Sequence, residues 1–522
     1  MINRRQFLST AAVAAAATPA TPKAPFRVLY SNDTTNIMST ISPFHQKGEP
    51  WRPEMLEASV DEAQGVDVHL LQPGLCWIPW WKSKVYPAAE HYRWFTETTG
   101  LPADSVGKYL SAGGDIVQVF VSRCRKRGQS PFISFRLNDV HHLENVGQKT
   151  PQAINISKFY FEHPEYRLGA NPNKPDQAVQ NWAIPEVRAH KFSFIRELCE
   201  GYDIDGLELD FLRFWVLFDQ QRTTRKQRVS IVTNFVSDVR QLLGRTSRNG
   251  RRRWLCARVP SAVAGFDPLG IDLPAMVDAG LDMVNVSTSY FTNQQTDLPV
   301  IRRQAPGAAL YLEMTHSVYN GPNRAKYDNF PFLRTTDQQF YTGAHLAYKQ
   351  GADGVSLFNF VYFREHGGLG RGQFTEPPFH VLEHLADRDF VAREPQWYVL
   401  AKLTQPPLPD RPMPRKMEAG KPETFQLQLA PNAGKKEGLL RIRSVEESSR
   451  EWTIKLNGHV LESTDYVAKP LPHPYDANLE IGGAFACFRF PRSLARSGSN
   501  EIAATMQSGA PVTIDYLDLV LP

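Results

Sequence analysis

Apolar residues along this chain gather into eight short runs separated by stretches with helical spacing. The runs predict strands at 26–33 ("FRVLYSND"), 66–73 ("VDVHLLQP"), 131–139 ("PFISFRLND") and 206–211 ("GLELDF"). Four more follow at 254–260 ("WLCARVP"), 281–291 ("LDMVNVSTSYF"), 309–316 ("ALYLEMTH") and 354–360 ("GVSLFNF"). Between them, apolar positions three and four apart predict helices over 53–64, 106–127, 185–200, 222–243, 273–279, 337–350 and 377–386. Such alternation predicts an α/β fold, a closed (β/α)8 barrel of parallel strands. Gly-x-Asp entries precede strands at Gly65, Gly201, Gly280 and Gly351. Each glycine is expected to end a helix in the left-handed conformation before the chain turns into the next strand. The other arrangement of such units is an open doubly wound sheet, but no G-x-G-x-x-G follows the first strand.

Beyond about Pro395 the pattern changes. "QPPLPDRPMPRK" (405–416) is a proline-rich spacer that cannot hold a regular helix. After it come short alternating runs, "ETFQLQLA", "GLLRIRSV", "EWTIKLNGHVL", "AFACFRF" and "VTIDYLDLVL", with an Asn457-Gly458 turn signal. They predict a small antiparallel β-sandwich. The expected organisation is an export signal at 1–25, a barrel at 26–395, a linker at 396–420 and a sandwich accessory domain at 421–522.

Composition adds limits. The 522 residues are 42% hydrophobic and 22% charged, ordinary for a globular protein. Net charge is +5, yet the basic residues are scattered apart from Arg251, Arg252 and Arg253, which read as a solvated loop. No nucleic-acid partner is expected. The N-terminus, "MINRRQFLSTAAVAAAATPATPKAP", sets Arg4-Arg5 before Phe7-Leu8 and an alanine-rich run, the layout of a twin-arginine export signal. That run is too short for a membrane anchor, so the mature protein is expected in the periplasm or secreted, without a membrane span. The five cysteines are far apart and form no C-x-x-C motif, so neither a disulfide framework nor a metal site is expected, and no cofactor.

Candidate chemistry concentrates in "YDIDGLELDFLRFW" (202–215). Alternation turns Glu208 and Asp210 to one side of the fourth strand and Leu207, Leu209 and Phe211 to the other. In a barrel the acids would face the interior, with Asp210 nearer the C-terminal rim where sites form. Other strand ends are also polar: Arg136, Asn138, Asp139, His141 and His142; Arg258; Ser287, Ser289 and Tyr290; Glu313 and His316; Asn359. Arg136 or Arg258 paired with Glu208 would equally make an interior ion network. The loop "GLCWIPWWKSKVYP" holds Trp77, Trp80 and Trp81, and flat rings suit the apolar faces of pyranoses. Two carboxylates in a sugar-sized cleft can hydrolyse a glycosidic bond, one as acid and one as nucleophile or base. The expected catalytic residues are Asp210 or Glu208 with Glu313 across the barrel. Arg136, Asn138, Asp139, His141, Arg213, Arg258, Tyr290, Asn359, Trp80 and Trp81 are expected to bind the carbohydrate substrate.

At these residues the chain resembles secreted bacterial glycoside-hydrolase-like barrel proteins distantly related to α-amylases. "DGLELDFLRF" is similar to their fourth-strand "DG-x-x-L-D-x-x-R" segment. The resemblance implies that Asp210 stands at the nucleophile position, although the fifth-strand segment "LCARVPSA" carries no acid. In the clan that includes cellulases the acid lies on strand four and the nucleophile on strand seven, which matches Glu208 or Asp210 with Glu313. A chitinase pattern would place Leu212 at the catalytic glutamate. The tail resembles the jelly-roll accessory domains of such enzymes. Two other classes remain open on the residues: a metal-dependent hydrolase using Asp139, His141, His142 and His316, and a carbohydrate-binding barrel without catalysis.

Overall fold

The computed structural model describes residues 23–33, 49–75, 77–139, 141–171, 173–320, 332–364, 376–403, 412–474 and 483–522. Residues 1–22 of the expected export signal at 1–25, Cys76, and residues 405–411 of the proline-rich spacer at 405–416 lie outside the described residues.

Eight parallel strands close into a barrel: β1 (Val28–Asn32), β2 (Val68–Leu71), β3 (Ser130–Arg136), β4 (Gly206–Asp210), β5 (Trp254–Pro260), β6 (Met283–Ser287), β7 (Ala309–Thr315) and β8 (Gly354–Phe358). Neighbours follow chain order, and β8 pairs with β1. Helices Pro53–Glu62, Pro185–Gly201, Arg225–Arg245, Leu273–Asp278 and Asp337–Lys349 fall where the spacing predicts them. The predicted helix over 106–127 is two, Ser105–Ser111 and Ile116–Arg127, because Gly113 takes φ +91° and Asp115 caps a new start on the Gln118 N–H. Ala88–Thr99 and Leu298–Gln304 are helices the pattern did not mark. The predicted helix over 377–386 is a 3-10 turn at Phe379–Glu383, followed by a short helix at Arg388–Arg393.

The Gly-x-Asp entries have a physical role. Gly65, Gly280 and Gly351 take φ of +74°, +103° and +95°, whereas Gly201 ends its helix without a left-handed turn. The following aspartates then cap backbone N–H groups at the start of neighbouring strands. Asp67 Oδ2 accepts from Arg27 and Val28 (2.6 and 2.9 Å), Asp282 Oδ2 from Leu255 (2.9 Å) and Asp353 Oδ2 from Leu310 (2.9 Å).

The barrel floor is apolar. Phe26 packs edge-on against Phe132 and Trp254, and Tyr311 is buried beside them. Gly206 and Gly354 make this floor possible: a Cβ on Gly206 would lie 2.4 Å from the Phe132 ring, and one on Gly354 2.2 Å from the Arg27 carbonyl oxygen. Leu207 and Leu209 face outward into the core shared with the surrounding helices. The interior therefore changes from aromatic at the bottom to charged at the top.

Among the described residues the C-terminal region holds antiparallel sheets of six and four strands. Leu440, Ile442, Leu517 and Leu519 of one meet Phe425, Leu427, Ile454 and Ile502 of the other. Gln396–Ala401 and Arg415–Met417, within the expected linker, are strands paired to Val512–Leu521. This region is fixed to the barrel: Gln294 bridges the Trp397 carbonyl and the Val399 N–H (3.1 and 2.8 Å), and Tyr319, just past β7, accepts from Arg443 (3.0 Å) and donates to Asp515. Among the described residues no helix is long and apolar enough to cross a membrane.

Candidate active site

Strand alternation and the barrel register bring Glu208 and Asp210 of β4, Arg258 of β5, Asn285 and Ser287 of β6 and Glu313 of β7 into one buried interior cluster. Arg258 is its centre. Its Nε and NH2 donate to Glu313 (2.8 and 2.6 Å), while NH1 donates to both Asp210 oxygens (3.1 and 3.3 Å). The guanidinium also lies 4.2 Å over the Phe358 ring of β8. Burial works against this charge, but Glu313 and Asp210 outweigh it and push the guanidinium pKa up. The sequence had suggested Arg136 or Arg258 as a partner for Glu208. In the structure Arg258 instead joins Asp210 to Glu313.

Glu208 lies one alternate position deeper. Ser134 (2.7 Å) meets its Oε1, and Asn285 (3.0 Å) and the Cys256 thiol (3.6 Å) donate to its Oε2. Burial, followed by repulsion from Asp210, raises its pKa to about 7 against the pull of Arg258 and Ser134, with Glu313 adding to the rise. Asn285 donates to Glu313 as well (3.1 Å), so one amide joins the two glutamates.

A second tier lies above. Arg136 donates to Asp139 (3.0 Å), Asp33 (2.9 Å) and Gln72 (2.5 Å). Asp139 Oδ1 accepts from both the backbone N–H and the ring Nδ1 of His141 (3.1 and 2.5 Å). Burial raises the pKa of both aspartates, but Arg136, Arg213 and His141 overcome it, holding Asp33 at about 2 and Asp139 well below its ordinary value. Arg213, from the loop after β4, reaches His141 (3.3 Å) and donates to the Tyr290 hydroxyl. Asn359 accepts from the Asp33 N–H (3.0 Å), joining the ends of β8 and β1. His141, with 18% of its side chain exposed, and Tyr290 meet solvent more than the tier beneath them.

The backbone of this mouth is strained. Trp77, His142, Ser289 and Asn359, in the loops leaving β2, β3, β6 and β8, have φ of +65°, +61°, +68° and +54°. Left-handed conformations at tryptophan and serine need surrounding structure to impose them, and such strain concentrates at functional sites.

Three expected substrate contacts are corrected. Trp80 and Trp81 are buried in the core; Trp81 stacks edge-on with Phe194 and donates to Glu197 (3.1 Å). The loop folds inward because its apolar rings cover the helices. The cavity beside Trp77 and Trp81 is about 20 Å³, room for about one water and not a pyranose. Asn138 turns away from the mouth and donates to the Gln180 and Val216 carbonyls (3.2 and 2.8 Å), tying two loops together. Conversely, Asp33, Gln72, Ser134 and Asn285 belong to the network without having been singled out. For Asn285 the signal was available: it shares its side of "MVNVS" with Ser287. Among the described residues no three His, Cys, Asp or Glu side chains converge as a metal-ligand set.

No family model matches the chain, and no curated protein matches it. Solved structures do. α-L-Fucosidase isoenzyme 1 from Paenibacillus thiaminolyticus is 12% identical, with 92% of this chain and 97% of that one covered, at a TM-score of 0.38. The PgaB (BpsB) glycoside hydrolase domain from Bordetella bronchiseptica is 10% identical over 69% of this chain and 98% of that one, at a TM-score of 0.42. Catalytic domain 2 of the Ostrinia furnacalis Group II chitinase is 12% identical over 69% and 96%, at a TM-score of 0.38.

Proposed function

We propose that this chain is a glycoside hydrolase acting on an extracellular or periplasmic poly- or oligosaccharide, and that its site is the carboxylate pair of Asp210 and Glu313. The observation that carries this reading is their convergence: acids from β4 and β7, on opposite parts of the barrel wall, meet at the one Arg258 guanidinium near the C-terminal ends of the strands. Hydrolysis adds water across the bond between the anomeric carbon and the glycosidic oxygen. The oxygen leaves with a proton, and the carbon ends with a hydroxyl. In this reading Asp210, nearer the rim than Glu208, attacks the anomeric carbon, with Arg258 orienting it and Glu313 fixing Arg258. Glu208, whose pKa burial raises to about 7, lets three acids share a buried interior with one arginine. Export by the twin-arginine route, proposed from Arg4-Arg5 and the alanine-rich run, would place the enzyme with such polymers.

The test is a screen of purified protein against a panel of neutral and acidic glycans, read by new reducing ends. Release from at least one glycan by wild type and none by Asp210→Asn is expected. A second reading, a carbohydrate-binding barrel without catalysis, is favoured by the full burial of the Asp210 and Glu313 side chains, 0% and 1% exposed. Under it a glycan binds but is not cut, and Glu313→Gln leaves its affinity intact.

A further inference from the structure

A carboxylate pair needs a member that can give a proton, and the geometry removes Glu313 from that role. Its two oxygens receive four donors: Arg258 Nε and NH2, Asn285 Nδ2 and Ser287 Oγ (2.5 Å). The Ser287 hydroxyl itself accepts from the Ser289 N–H (2.8 Å) and Arg258 NH2 (3.1 Å), so its own hydrogen is directed to Glu313. Every hydrogen bond the described residues make to Glu313 is therefore a donation, which suits an acceptor-only role. Asp210 is likewise an acceptor, from Arg258 and from the Leu212 N–H (2.8 Å). Glu208 can carry a proton but lies below Asp210, enclosed by Ser134, Cys256 and Asn285.

We propose that His141, oriented by Asp139, is the group that transfers the proton at the barrel mouth, with Glu313 a positioning residue. This rests on the glycoside-hydrolase reading of the same site. Asp139 is pinned at both oxygens, Oδ2 by Arg136 and Oδ1 by the His141 backbone N–H, and Oδ1 then takes the ring Nδ1. A carboxylate at that distance requires Nδ1 to carry hydrogen, so proton exchange falls to Nε2. Arg213 Nε, 3.3 Å from the same Nδ1, cannot donate to a nitrogen that already bears hydrogen, and it acts there through its charge. Around the ring stand Asp139, Arg136, Asp33 and Arg213, which donates to Tyr290, with the His142 and Phe214 rings at 6.0 and 6.1 Å. Burial and Arg213 pull its pKa below the ordinary 6.5, against Asp139.

The step balances with these groups alone. Asp210 bonds to the anomeric carbon as the carbon–oxygen bond breaks, and the leaving oxygen takes the Nε2 proton. The neutral imidazole then accepts a proton from the water that displaces Asp210, which restores both groups. His141 must start protonated, so activity is expected to fall as pH rises through a value below 6.5.

The experiment compares wild type, His141→Gln and Asp139→Asn on the glycan found by the panel and on a dinitrophenyl glycoside of the same sugar, across pH. Loss of about 100-fold or more on the glycan is expected for His141→Gln. A much smaller loss is expected on the dinitrophenyl substrate, whose leaving group needs no proton, together with loss of the alkaline limb. Equal losses on both substrates with the wild-type pH profile would overturn the proposal, as would full activity of His141→Gln alongside an inactive Asp210→Asn. Nitrogen NMR of wild-type histidines gives a check that needs no variant to be active: His141 should be the Nδ1–H tautomer, and the Nε2–H tautomer overturns the assignment. An Asp210→Asn as active as wild type, or no glycan cut at all, sinks the hydrolase reading and this proposal together.

Discussion

Replacing Glu208 with glutamine should stabilise the protein at alkaline pH and leave it nearly unchanged in acid. The barrel holds the Glu208 carboxyl at a pKa of about 7, against an ordinary 4.5. The folded state therefore binds a proton that the unfolded chain has released between those two values. A raised carboxyl of this kind contributes its full stability below about 4.5 and loses it as pH rises through about 7. At about 1.4 kcal/mol for each factor of ten, that interval corresponds to about 3 kcal/mol. Glutamine keeps the hydrogen bonds: its oxygen can accept from Asn285 and Cys256, and its amide can donate to Ser134. It never takes on charge. Urea unfolding at pH 5 and pH 8.5 reads the difference. The variant should match wild type within about 1 kcal/mol at pH 5 and exceed it by about 2–3 kcal/mol at pH 8.5. Equal stability of the two proteins at both pH values would mean that Glu208 is ionised in the fold, and would refute the burial argument.

Arg258→Met should cost about 3–5 kcal/mol near neutral pH, because it strands Asp210 and Glu313 without their shared cation. Urea unfolding beside wild type at neutral pH would show the deficit. Trp81→Ala should cost about 3–5 kcal/mol in the same assay and leave affinity for any bound glycan unchanged, since its ring packs on Phe194 in the core.

Much of the barrel was legible because strand and helix periods differ and the chain keeps to them. Seven strands lie inside the predicted runs and β3 begins one residue before its own, and the parity argument at Glu208 and Asp210 put both acids in the interior. The convergence of Asp210 with Glu313 followed from the same parity plus the geometry of a closed barrel. The arginine that joins them did not, because the reach of Arg258 depends on how far neighbouring strands are staggered, which no local pattern encodes. The tryptophan loop misled for a related reason. A run of apolar rings after a strand suits a sugar platform and a core equally, and the direction in which the loop folds decides between them. The break at Gly113-Gly114 was written in the sequence, but the apolar spacing on either side runs through it. Asp139 and His141 were visible as polar strand-end residues, yet their pairing depends on the tight turn in which Asp139 also accepts the His141 N–H, which residue type alone does not announce.

The most direct test of the account is the rate at which Asp210→Asn releases reducing ends from the glycan that wild type cleaves, measured with its unfolding midpoint. The account predicts a folded protein whose turnover is lost by at least about 1,000-fold. A folded Asp210→Asn that cleaves at the wild-type rate would contradict it, because the β4 carboxylate would then have no part in the chemistry.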